Sequence, residues 1–187
     1  MHLLLANNSA SGGGAAPTFE HITTTTLTTN TTTSITLSSI PQNYTHLQLR
    51  ISAKYFPSGT AYMYMSTNIS GITYYTQGME TGAFSFSSFD QSSASRYENL
   101  GLMVGNGYNH WTSFILDIQD YSNSSKKKVI KNFAGYKREG ADAHSYMILT
   151  SGFQNSTSNI SSLTFFNSGG GAFQSGSRFS LYGIKVA

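Results

Sequence analysis

The chain has 187 residues, no cysteine, 11 Lys and Arg against 8 Asp and Glu, and a formal net charge of +3. The lack of cysteine excludes disulfide frameworks, thiolate catalysis and cysteine-based zinc sites, and a chain of this length buries enough surface as one domain to need no such staple. Charged residues are only 10% and aromatics 13%, so the abundant Ser, Thr, Asn and Gly read as neutral strand surface and loops, not as a disordered coil.

The basic excess is scattered, Lys126 to Lys128 being its one run, and nucleic-acid binding needs a clustered stripe. No apolar run approaches the ~18 residues of a membrane span. Leu3 to Leu5 is too short for a signal-peptide core.

Residues 1–18 are expected to form a flexible N-terminal arm. Met1 to Ala6 is short and apolar, and the small residues after it carry a Gly12-Gly13-Gly14 linker. Leu3, Leu4 and Leu5 are its candidate partner-docking residues. Residues 19–187 are expected to form one β-sandwich domain. Phe19 to Thr29 is threonine-rich and suits an extended edge segment. Thr33 to Ile40 alternates through Ile35 and Leu37, and Pro41-Gln42-Asn43 makes a turn. In His46 to Lys54 the alternation is cleanest, with Leu47, Leu49, Ile51 and Ala53 facing inward and His46, Gln48, Arg50, Ser52 and Lys54 outward.

Ala61 to Thr67 sets Tyr62 and Tyr64 against Met63 and Met65, and Ile72 to Tyr75 reads as a short strand. Gly78 to Ser95 reads as a long loop or a poorly patterned strand, and Arg96 to Val104 as a strand again. Asn109 to Tyr121 places Phe114, Leu116 and Ile118 in the core, with Ser113, Asp117 and Gln119 in solvent. Lys127 to Lys137 returns as its hairpin partner. His144 to Ser151 follows as a strand, then Asn159 to Phe166 as a bulged one, because Ile160 and Leu163 are out of phase. A Gly-rich loop leads to the closing GSRFSLYGIK segment, where Phe179 and Leu181 oppose Ser180 and Tyr182 and Gly183 breaks the pattern. About eight to ten strands without an amphipathic helix imply an all-β, antiparallel, jelly-roll-like sandwich.

Chemistry-bearing patterns are sparse. Asp117 and Asp120 have an odd spacing that puts them on opposite faces of a strand, whereas a glycosidase needs two carboxylates in one cleft. His2, His21, His46, His110 and His144 form no paired metal motif, and no nucleophile elbow or phosphate-binding glycine loop is present. No catalytic residue, cofactor or metal is therefore expected. Aromatics concentrate between Tyr55 and Tyr75. Tyr62, Tyr64, Tyr74 and Tyr75 are the candidate binding surface, with glycan or protein as ligand. The competing reading is that half of them alternate into the core.

SSIPQNYTHLQLRISAK (Ser38 to Lys54), SFILDIQDYSNSSKKK (Ser113 to Lys128), FAGY (Phe133 to Tyr136), the Ser156 to Leu163 stretch and GSRFSLYGIK resemble a family of tailed-bacteriophage virion proteins. The resemblance lies in the Ser/Thr-rich first strand, the Ile-Pro-x-x-Tyr turn and the closing Leu-Tyr-Gly-Ile-Lys strand. It spans residues 22–54 and 110–187, is weak over 56–107 and is absent from the arm. It implies a β-sandwich structural protein of the virion with no enzymatic activity. A head decoration or cement protein is the first expectation, binding the major capsid protein or another virion protein as a homo-oligomer, with a trimer as the expected state. Neutral polar contacts, which salt does not screen, suit that role. The alternative is a receptor-binding or adaptor module of a tail fibre or spike recognising host glycan.

Overall fold

The computed structural model describes residues 18–30, 33–56, 58–81, 86–137 and 145–186. Leu3, Leu4 and Leu5, and with them the arm up to residue 17, lie outside the described residues, while Thr18, the last residue assigned to the arm, opens the first strand. Fourteen strands follow one another, and no helix occurs among the described residues. They are β1 (Thr18–Thr26), β2 (Ser34–Leu37), β3 (His46–Ala53), β4 (Tyr55–Phe56), β5 (Thr60–Thr67), β6 (Tyr74–Thr81), β7 (Phe86–Ser93), β8 (Tyr97–Val104), β9 (Thr112–Gln119), β10 (Val129–Lys137), β11 (Ser145–Gln154), β12 (Leu163–Asn167), β13 (Ala172–Phe173) and β14 (Arg178–Lys185).

The strands form an all-β antiparallel sandwich. An eight-stranded sheet in the order β1-β14-β3-β9-β10-β11-β6-β7 packs on a four-stranded sheet in the order β2-β12-β5-β8, and β13 and β4 make a small third pair. Period-two alternation supplies the shared core. From the large sheet it receives Leu47, Leu49 and Ile51, Phe114, Leu116 and Ile118, and Phe179 and Leu181. From the small sheet it receives Ile35, Leu37, Met63, Met65, Leu163 and Phe165. Each such burial is worth about 1.5–3 kcal/mol. The aromatic rings interlock between the layers: Phe179 lies 5.4 Å from Phe165 and 5.3 Å from Phe173.

The closing strand is held on both sides, by β1 and by β3. Gly183 does not break it. The strand runs through to Lys185, and Gly183 is needed because an added Cβ would stand 2.4 Å from Cγ of Tyr44, whose ring lies on that bare backbone. Phe19 to Thr29 is an edge as expected, since β1 ends the large sheet.

Of the two readings of Gly78 to Ser95, the poorly patterned strand holds and the long loop does not: the region contains the end of β6 and all of β7, paired antiparallel at the sheet's other edge. Its pattern is illegible because neither face of an edge strand need be apolar. Ile160 is not part of a bulged strand. It precedes β12, is fully buried, and its N–H donates to the carbonyl of Tyr121 at 3.0 Å. Lys54 does not face out. It is 5% exposed, its ammonium donates to the carbonyl of Tyr108 and sits 5.3 Å from the Trp111 ring centroid. Lys128, read as part of a basic run, is likewise fully buried, and its ammonium gathers the carbonyls of Asn123, Lys126 and Thr157. Both lysines tie loops to strand ends by charge-assisted hydrogen bonds.

Candidate functional site

The four tyrosines singled out from the sequence do not form one surface. Tyr62 and Tyr64 are half-buried on β5 with the core-facing Met63 and Met65 between and beyond them. Tyr64 packs edge-on to Phe166 at 5.9 Å, and the Arg96 guanidinium lies 4.6 Å over its ring. Tyr62 reaches Glu80 Oε2 at 3.4 Å, and the hydroxyl of Tyr146 donates to the same carboxylate oxygen. Burial raises the pKa of both phenols above the ordinary value, with Glu80 adding to the shift. Tyr146 continues into a ladder of rings through Tyr136, His110 and Tyr108, with centroids 5.7–5.8 Å apart.

Tyr74 leaves the candidate surface. It is 1% exposed, and its hydroxyl meets Thr67 Oγ1 at 2.9 Å and donates to the carbonyl of Ile69. Tyr75 is its neighbour on the same strand, so the pleat sends it to the opposite side. There it is exposed and stacked on Phe153 of β11 at 4.7 Å. This pair borders an open depression of about 580 Å³ that also includes Gln77, Asp90, Lys127 and Ser151.

The acids are dispersed. Asp117 accepts from Gln48 Nε2 at 2.9 Å on the solvent face of β9. Asp120 follows that strand at φ 52° and pairs with Lys126 at 3.2 Å. Among the described residues, no three or more His, Asp or Glu side chains come together as a metal site.

The most distinctive surface was not in the sequence-derived candidate set. The solvent side of the large sheet carries a row of apolar side chains in direct register across four adjacent strands. Ile115 of β9 faces Phe133 of β10, Phe133 faces Leu149 of β11, and Leu149 faces Met79 of β6. Their exposures are 43%, 48%, 53% and 46%, and Met147, two residues from Leu149, is 48% exposed. Two residues along the strands lies a polar row, Asp117, Lys131, Ser151, Gln77 and Asp90. Beyond it come Val129, Phe153 and Tyr75, with Lys127 5.6 Å over the Phe153 ring. The signal for this face was present in the sequence. Segments such as FILDI and YMILTSGF carry apolar residues at both parities, so alternation leaves some of them on the outer face. No family model, no curated protein and no solved structure matches the chain.

Proposed function

We propose that the chain is a non-enzymatic structural protein of a tailed-bacteriophage virion. Within the particle, the favoured role is a head decoration or cement protein that docks as a homo-oligomer on the major capsid protein or another virion protein. One observation carries this reading: an extended row of half-exposed Ile115, Phe133, Leu149 and Met79, with Met147 beside it, in register across four strands of the large sheet. A catalyst concentrates polar groups in a concavity, whereas this face offers area, which is what a protein built into a shell needs. The resemblance carried by the Ile-Pro-x-x-Tyr turn and the Leu-Tyr-Gly-Ile-Lys strand points the same way. The jelly-roll-like winding belongs to the same reading. The chain passes from the large sheet to the small one and back repeatedly, as at β1-β2-β3 and β7-β8-β9.

The test is to add the purified protein to particles lacking it and locate it by electron microscopy. Binding at regular lattice positions is the expected result, and a chain lacking residues 1–16 should remain folded and lose that binding. Absence from heads, or full binding by the truncated chain, overturns the decoration role or the arm's part in it.

The receptor-binding reading is favoured by the Tyr75–Phe153 pair beside Gln77, Asp90 and Lys127, a mix of apolar ring and polar groups that suits sugar. A glycan array separates the two. Saturable binding that disappears in Tyr75→Ala supports the receptor role, and no binding on the array excludes it for the glycans displayed.

A further inference from the structure

We propose that the solvent face of the eight-stranded sheet is the interface between two copies of this chain, stacked sheet on sheet about a two-fold axis that runs along the strands between β10 and β11. The pairing rests on the same apolar face that carries the virion reading, and its test, the oligomeric state in solution, is separate from the particle-binding test.

Area is the first argument. Large side chains present roughly 150–250 Å² each. At exposures of 43–53%, the contiguous Met79, Ile115, Phe133, Met147 and Leu149 leave on the order of 450 Å² of apolar surface in water, within the range of the largest patch on an ordinary monomer, and Tyr75 and Phe153 add more across the polar row. A stable interface covers about 800 Å² per partner and is little more than half apolar. The patch and its polar neighbours thus supply what one side of a stable pair requires.

The second argument is self-complementarity. An axis along the strands between β10 and β11 exchanges β10 with β11, β9 with β6 and β3 with β7, and lays every cross-strand row on its own counterpart. Phe133 then meets Leu149 of the second copy, and Ile115 meets Met79. In the polar row, Lys131 meets Ser151, Asp117 meets Gln77 and Gln48 meets Asp90, so no like charges face each other. Met147 meets Gly135, its own cross-strand partner within the chain, where the missing side chain leaves space for it. An axis across the strands would instead lay the row of Met147 over that of Lys131 and Asp117, burying charge against thioether at a desolvation cost. Two sheets stacked about 10 Å apart interdigitate such side chains as the inner layers of the sandwich do. A face that matches itself gives an isologous pair, in place of the trimer expected from the sequence.

The experiment is sedimentation equilibrium of the full chain over the micromolar range, with Leu149→Glu and Phe133→Glu as the breaking variants and Thr36→Glu, on the outside of the small sheet, as the control. The expected result is a dimer, kept by the control and weakened at least about thirtyfold by each breaking variant, the loss produced by a central anchor. A wild-type chain that is monomeric or trimeric throughout overturns the proposal, as does a dimer indifferent to both breaking variants. Peroxide oxidation of Met79 and Met147 in the wild type needs no folded variant. Both should be slowed at concentrations where the dimer forms, and rates independent of concentration count against the interface.

Discussion

On the outside of the small sheet, Thr36 of β2 and Thr164 of β12 share a hydrogen bond of 2.9 Å, and further along Tyr64, Phe166 and Arg96 cover one another. On the outside of the large sheet, the corresponding cross-strand positions of β10 and β11 hold Phe133 and Leu149, each about half exposed. Both surfaces come from antiparallel strands with the same alternation. The small sheet finishes its outer face with groups that satisfy one another or water. The large sheet leaves apolar surface whose burial is still to be gained. The pleat decides which residues point outward, but it does not require them to be polar. The outer face of β9, β10, β11 and β6 thus differs from that of the small sheet in leaving apolar side chains about half exposed.

If that contrast is right, stability of the single chain should be concentrated between the sheets. Phe179→Ala removes a fully buried ring that touches Phe165 and Phe173. It should cost about 3–5 kcal/mol in denaturant unfolding. Gly183→Ala comes next, at about 1–3 kcal/mol, because the new methyl collides with the Tyr44 ring. Calorimetry should show the loss, and Tyr44→Ala in the same chain should relieve part of it. Phe133→Ala and Leu149→Ala on the outer face should each change unfolding of the dilute chain by no more than about 0.5–1 kcal/mol. A cost equal to that of Phe179→Ala would break the comparison, since it would mean that these side chains already serve the monomer's own core.

Smaller effects sharpen the other side. Arg96→Ala removes the cation over Tyr64 and the 2.9 Å pair with Glu98. It should cost about 0.5–1 kcal/mol, measurable as a shift in thermal midpoint. The least effect concerns the β1 edge, where the Tyr44 hydroxyl donates to Glu20 at 2.8 Å and Lys185 lies 3.6 Å away. The hydrogen bond from Tyr44 first, then the Thr18 side chain and then Lys185 hold the Glu20 carboxyl below its usual pKa, against a smaller opposing effect of burial. A depressed carboxyl pKa means that the unfolded chain binds more protons over the interval between the two values. The contribution is thus complete above the unfolded value and is lost as pH falls through the folded one. A carboxyl-detected magnetic resonance titration should place the Glu20 midpoint below the ordinary glutamate value, and Tyr44→Phe should move it back upward.

Much of this architecture was legible residue by residue. The inward sets of β3 and β9 and the closing pair Phe179 and Leu181 follow from alternation alone. The binding surface was harder to read. Tyr74 and Tyr75 are adjacent in a strand, so one had to be core, and composition does not say which. Alternation along β3 sends Lys54 outward and Lys128 reads only as part of a basic run, yet each is buried because a ring of backbone carbonyls or an aromatic face receives its ammonium. Tyr108 and Trp111 reach Lys54 from a distant part of the chain, and Thr157 reaches Lys128 from another loop, so the contacts that complete each burial leave no local trace.

The sequence by itself determined that the chain forms alternating strands without helices, and which residues along the clean strands enter the core. Those properties depend on the two-residue period of an extended backbone, which any short segment already possesses. Only the tertiary structure decided that eight strands lie in one sheet against four in the other, and that Ile115, Phe133, Leu149 and Met79 line up in one row. Strand order and register are set by contacts between segments far apart in the chain, so the surplus apolar face comes into being only when those segments meet.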